Sequence, residues 1–168
     1  MNKLDILIII IVGLPIVIGL SSGFLKNLLG FAGIIVGLII ASNFSDQIAG
    51  MFTSMDLPGQ ISTAFSFTGV IVFFYVLGGF AAKRISRISS FTTTMDKLFG
   101  GIFGALQGLI IASLVIHFLK FFSFVSVDTM QASMLYPMIS GIAPEIVDAA
   151  SKVLPFVKAN IQGTKFLR

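Results

Sequence analysis

Few side chains in this 168-residue chain could carry chemistry, and the first pair to consider is Ser113 and His117, the single histidine. Residues four apart share one face of a helix, so this pair could place a hydroxyl nucleophile beside an imidazole base. Such a pair also needs an acid to orient the imidazole, and the surrounding apolar run contains no Asp or Glu. An interfacial histidine is therefore the favoured interpretation.

Motifs of catalysis, metal binding and cofactor binding are missing elsewhere in the sequence. The chain has no cysteine, seven scattered acids, no H-E-x-x-H and no phosphate-binding loop. A nucleophile, a base and an oxyanion donor cannot be assembled from these residues. We therefore expect no enzymatic activity, no catalytic residues, no metal site and no cofactor.

Two acids, Asp5 and Asp96, each stand at the start of an apolar run. An acid in the first turn of a helix complements the helix dipole and accepts hydrogen bonds from free amides, with Thr94 as an alternative cap in the second case. The alternative is a proton or cation site, because ionisable groups near membrane helices often mark function. Both acids lie at the edge of a run, where a carboxylate stays solvated, so capping is favoured and both remain candidate functional acids.

Small residues recur at four-residue spacing in three apolar runs. The first set is Gly19 and Gly23, the second is Gly33, Gly37 and Ala41, and the third is Gly100, Gly104, Gly108 and Ala112. This spacing puts each set on one helical face, where two backbones can approach closely. Such faces suit an oligomer interface or a pore lining, but packing within one chain is favoured because glycine is common in membrane helices. We predict that the second and third of these faces pack against each other and that function needs this packing, with the same face of another copy as the alternative partner of the third.

The composition is that of an integral membrane protein. Hydrophobic residues make up 56% of the chain and charged residues 11%, against about one quarter charged in globular proteins. A soluble, disordered or disulfide-stapled domain is excluded, because a fold of this size could not bury so much apolar surface. The net charge of +4 is spread beside apolar runs rather than along one soluble face, so nucleic acid is not an expected partner.

Four charge-free runs divide the chain: Ile6–Leu25, Asn27–Ser45, Leu57–Ala82 and Leu98–Leu119. Each approaches or exceeds the roughly 20 apolar residues that span a bilayer core, and backbone groups in lipid must be satisfied internally. We predict an all-α integral membrane protein with one four-helix domain, 1–120. Its spans cover about 5–25, 27–45, 60–82 and 98–119. A cleavable signal peptide is not favoured for the first run, which lacks an A-x-A site.

Flanking charges predict the orientation. Lys26 lies between spans one and two, and a basic segment at 83–97 lies between spans three and four. The segment from Asp46 to Leu57 has two acids and no base. Positive charge is retained on the cytoplasmic side, so both termini are predicted to be periplasmic.

Residues 121–168 are predicted to form an interfacial and amphipathic C-terminal segment. Residues 121–124 are short and aromatic, which suits the membrane interface. A helix is predicted from Pro144, with acids early and lysines late, and Pro155 is expected to interrupt it. Its charges exclude a fifth span and favour a helix that lies on the membrane or packs on the bundle.

Three segments together carry a family resemblance. The first is Asp5 with Gly19-x-x-x-Gly23-Phe24-x-Lys26, the second is Asp96-Lys-Leu-Phe-Gly100-Gly-Ile-Phe-Gly104-Ala-Leu-Gln-Gly108, and the third is Ser133-Met-Leu-Tyr136-Pro137. In order and spacing they resemble the colicin V production protein (CvpA) family over roughly residues 3 to 140. The chain departs from the pattern at Ser22 and Gln107, where the family often has arginine.

The resemblance implies a bacterial inner (cytoplasmic) membrane protein linked to colicin V production or export and to envelope integrity. We expect an accessory or scaffold protein, since a small glycine-rich bundle with short loops mainly offers helix faces. Its expected partners are the lipid bilayer, other inner-membrane or secretion proteins, and further copies of itself. The alternative is a small transporter or channel with Asp5 or Asp96 in its path.

Overall fold

A computed structural model describes residues 2–53, 58–86 and 94–153 of the chain. Those residues form seven helices and no strand. They are α1 (Lys3–Ser22), α2 (Phe24–Thr53), α3 (Gly59–Ser86), α4 (Thr94–Phe121), α5 (Val127–Gln131), α6 (Tyr136–Ile139) and α7 (Ile142–Val153). The first four are long and apolar enough to cross a membrane. The predicted class, an all-α protein with four spanning helices and a C-terminal helix, is confirmed.

Three of the four long helices extend past the charge-free runs from which they were predicted, whereas α1 ends at Ser22, before the end of its run at Leu25. α2 begins at Phe24 and continues to Thr53, so Lys26 and Asp46 are helical rather than in loops. A charged residue at the end of an apolar run can remain helical because its side chain reaches the polar interface. Only Gly23 separates α1 from α2, and its φ of 82° is a conformation that glycine adopts without a Cβ penalty.

The bundle consists of two closely packed helix pairs. α1 packs on α4, α2 packs on α3, and further contacts between α2 and α4 join the pairs. The main core lies between α2, α3 and α4, and its largest fully buried side chains include Ile34, Leu38 and Phe67. Outward residues such as Leu14 and Phe73 are apolar and exposed, as expected for surfaces that face lipid.

Glycine faces mediate both close pairings, but not as the sequence predicted. On α4, a Cβ at Gly100 would overlap the Gly19 carbonyl of α1, and one at Gly104 would overlap the Pro15 carbonyl. On α2, a Cβ at Gly33 would overlap the backbone of α3 at Phe74. The prediction that the glycine faces of spans two and four meet each other is therefore wrong, because each face lies against a different helix.

The C-terminal segment folds back onto the bundle. α7 begins at Ile142, two residues before the predicted start at Pro144, and buries Ala143 and Val147 in the main core. Glu145 and Asp148 are exposed, and Asp148 pairs with Lys152 at 2.9 Å, so the helix is amphipathic. The predicted interruption at Pro155 lies outside the described residues.

Candidate functional site

The first polar cluster, the Asp5 junction, consists of Asn2, Asp5, Thr129, Ser133 and Leu135. The Ser133 hydroxyl donates to Asp5 Oδ1 at 2.5 Å, and the Leu135 amide donates to the same oxygen at 3.2 Å. The backbone amide of Asn2 donates to Asp5 Oδ2 at 2.9 Å, so the carboxylate also caps its own helix. Asn2 Nδ2 adds a bond of 2.6 Å to the Thr129 carbonyl.

Burial of Asp5 departs from the prediction that it stays solvated. Asp5 is only 2% exposed, and the segment that carries Thr129 and Ser133 bonds to the start of α1. A buried carboxylate is tolerated when several donors satisfy its oxygens, as three do here. The Asp5 junction therefore ties the N-terminus of α1 to the segment after α4, across more than 120 residues of sequence.

The second polar cluster, the Asp96 junction, consists of Gly23, Phe24, Asn27, Asp96 and Gln107. Asp96 Oδ1 accepts a 2.8 Å hydrogen bond from the amide of Phe24, the first residue of α2. The sequence predicts that this acid caps the helix on which it lies, and the structure shows that its carboxylate also bonds to the start of a neighbouring helix, α2. Two features restrict position 23 to glycine. A Cβ there would overlap Asp96 Oδ2, and the backbone φ is positive.

Two amide side chains complete the Asp96 junction. Asn27 Nδ2 donates to the carbonyls of Gly23 at 2.7 Å and Gly19 at 3.3 Å, which ties the start of α2 to the end of α1. Gln107 is 3% exposed, and its Nε2 donates to the Asn27 carbonyl at 2.6 Å. Three helices thus meet through hydrogen bonds between side chains and backbone groups.

Ser113 and His117 do not form a nucleophile–base pair. The Ser113 hydroxyl accepts from the Ala143 amide at 3.0 Å and donates to the Ser140 carbonyl at 3.3 Å. His117 Nδ1 lies 2.8 Å from the Ser113 carbonyl, so this nitrogen carries the proton. The serine therefore anchors the start of α7 to α4.

The predicted acids are far apart in the fold. Gly19 lies beside Gly100, and Val12 lies beside Gly108, so α1 and α4 run antiparallel. Asp5, at the start of α1, and Asp96, at the start of α4, consequently lie at opposite ends of the bundle. In residues 2–53, 58–86 and 94–153, no three His, Asp or Glu side chains come together in a way that could hold a metal ion.

Sequence reasoning assigned no bonding role to Asn27 and Gln107. Both are amides inside apolar runs, and this was the available signal, because a polar side chain at such a position needs a partner. The sequence marks Ser133 only as the first residue of the third segment that carries the family resemblance. Its bond to Asp5 could not be inferred from positions so distant in sequence.

Comparisons with known proteins cover most of the chain. The sequence model of a family described as colicin V production protein matches residues 4–144. A relative from Haemophilus influenzae, named colicin V production protein homolog, is 28% identical over 137 residues, which cover 80% of this chain and 83% of the relative. No solved structure matches the chain.

Proposed function

The chain belongs to the colicin V production protein family, and on that premise we propose that it is an accessory protein of the bacterial inner membrane. In this proposal it acts as a scaffold in the production or export of a toxin of the colicin V type and in the upkeep of the cell envelope. Family membership supports the part of the proposal that concerns colicin V production. The geometry of the helix bundle supports the part that concerns a scaffold.

One observation carries the scaffold proposal: both candidate acids are bound within helix junctions. Asp5 accepts hydrogen bonds from Asn2, Ser133 and Leu135, and Asp96 accepts from Phe24. An acid that relays protons or cations has to exchange its partners during each cycle, whereas these bonds fix helix ends in place. A rigid arrangement of helices is what a scaffold presents to other membrane proteins.

The outward face of α3 is a suitable surface for such a partner. Phe65, Phe73 and Phe80 are spaced eight and seven residues apart, so they share one helical face, and all are about 60% exposed. Large aromatic side chains dominate contact energy at protein interfaces. We assign this face, the α3 phenylalanine face, as the surface that contacts the partner.

Site-specific photocrosslinking in native membranes tests the scaffold proposal. A photoreactive amino acid at Phe73 should yield a discrete adduct with another membrane protein or with a second copy of the chain. The same probe at Leu14, an exposed residue on α1, is the matched control and should yield lipid adducts alone. Equal adduct patterns at the two positions would refute the assignment of the α3 phenylalanine face.

A flux assay addresses the competing class, a transporter or channel. Purified protein in liposomes should move neither protons nor cations above the rate of empty liposomes. Solute movement that Asp96→Asn abolishes, in a variant that remains folded, would replace the scaffold proposal with a transport function.

A further inference from the structure

Two cavities of different chemistry lie against α3 and share a wall. The smaller, which we call the basic pocket, has a volume of about 280 Å³. The larger, which we call the apolar cavity, has a volume of about 580 Å³. Tyr75 and Val76 line both, so the two spaces adjoin along one side of the helix.

The basic pocket has the chemistry of an anion site at the end of the bundle that is predicted to be cytoplasmic. Among the described residues that line it, Lys26 and Lys83 are charged and neither Asp nor Glu is present. Lys26 Nζ lies 3.2 Å from the Ser22 hydroxyl, and Lys83 Nζ lies 5.9 Å from the centre of the Phe80 ring. Both ammonium groups therefore have neutral partners here and can take a negatively charged ligand.

The apolar cavity has the chemistry and the length of a lipid tail site. Aliphatic and aromatic residues such as Ile34, Ile71 and Leu114 line it. Its wall on α3 runs from Phe67 to Val76, which is about 14 Å at 1.5 Å per residue. That length is close to one leaflet of a bilayer whose apolar core is about 30 Å thick.

We propose that the two cavities together bind one anionic phospholipid. Its phosphate lies between Lys26 and Lys83, and one acyl chain follows α3 through the apolar cavity. Basic pockets between membrane helices are recognised by anionic head groups. A free phosphate ion would use the basic pocket alone, and a zwitterionic lipid would gain less from two unneutralised lysines. The anionic lipid is therefore the ligand that uses every feature of the joined space.

Gly79 provides a way to close this site without disturbing the bundle. It lines the basic pocket, and a Cβ there would meet no atom within 4 Å. Gly69, ten residues earlier on the same helix, also has open space around its Cβ position but lines neither cavity. Gly79→Leu and Gly69→Leu are thus a matched pair in which one substitution alone fills the site.

Native mass spectrometry of the detergent-purified full chain tests the proposal. Phosphatidylglycerol should bind as a single adduct at concentrations at least tenfold below those needed for phosphatidylcholine with the same acyl chains. Gly79→Leu should remove this preference, and Gly69→Leu should retain it. The double variant Lys26→Gln, Lys83→Gln should also remove it, whereas the control Lys3→Gln, Lys120→Gln, exposed lysines outside the pocket, should not.

Two further measurements distinguish a lipid ligand from a free anion. Millimolar inorganic phosphate should not displace phosphatidylglycerol, and a six-carbon analogue should bind more weakly than the long-chain lipid. Displacement by phosphate would indicate a free-anion site and overturn the proposal. Equal binding of the two lipid classes, or binding that Gly79→Leu leaves unchanged, would also overturn it.

Discussion

Gly108→Ala is the smallest change that tests the close approach of α1 and α4. The new Cβ would lie 2.8 Å from both the Cα atom and the carbonyl oxygen of Val12. Tolerable contacts begin near 3.4 Å, so the two helices have to separate locally by about 0.6 Å. Backbone atoms offer no rotamer change that could relieve the overlap.

The cost follows from the contacts that this separation weakens. A radial gap of about 0.5–1 Å forfeits a quarter to a half of the dispersion energy of each atom pair. In lipid, van der Waals packing carries much of the association between helices, because the hydrophobic effect no longer drives it. Overpacking of this kind costs about 1–3 kcal/mol. Gly104→Leu, which adds a larger side chain where even a Cβ overlaps the Pro15 carbonyl, should lower the protein level and abolish function.

Equilibrium unfolding in mixed micelles measures the effect, with Gly13→Ala as the matched control. Gly13 also lies on a spanning helix, and a Cβ there meets no atom within 4 Å. Replacing glycine by alanine favours the helix by about 1 kcal/mol at both positions, so this contribution cancels when the two variants are compared. Gly108→Ala should be less stable than Gly13→Ala by about 1–3 kcal/mol. Equal stability of the two variants would refute the packing argument.

Three further predictions concern the junctions and the orientation. Asp96→Ala should lower the free energy of unfolding by about 1 kcal/mol through the lost cap of α2, whereas Asp96→Asn keeps an acceptor oxygen and should retain fold and partial function. Ser133→Ala should cost about 1–3 kcal/mol in the same unfolding assay, since it removes a donor to buried Asp5. Alkaline phosphatase fused after residue 50 or after residue 123 should be active, as expected in the periplasm, and inactive fusions would reverse the predicted orientation.

The number and type of spanning helices could be predicted because they depend on local properties. Each run has enough apolar residues to cross a bilayer, and the helix is the one local structure that satisfies its backbone there. The ends could not be predicted as well. α2 extends past Asp46, because a charged side chain at the end of an apolar run does not by itself end a helix.

The pairing of glycine faces could not be derived from spacing for a different reason. A glycine at every fourth residue shows that some backbone comes close, but not which one. Gly33 and Gly37 on α2 approach α3 at Phe74 and Ile71, which were not part of any small-residue pattern. On α3, Gly78 also takes part, since a Cβ there would overlap the Leu29 carbonyl of α2. Spacing on one helix therefore does not identify which neighbour supplies the facing backbone.

In the fold, the three segments that carry the family resemblance all make contacts at the α1–α4 pair. Asp5 from the first segment meets Ser133 from the third at one end of the α1–α4 pair. Gly23 and Phe24 from the first segment meet Asp96 from the second at the other end, and Gly19 and Gly100 pack between these ends. All three segments therefore fix one antiparallel helix pair at both ends and along its length. A function that depends on these segments depends first on the geometry of α1 against α4, which leaves the outward face of α3 free to contact partners.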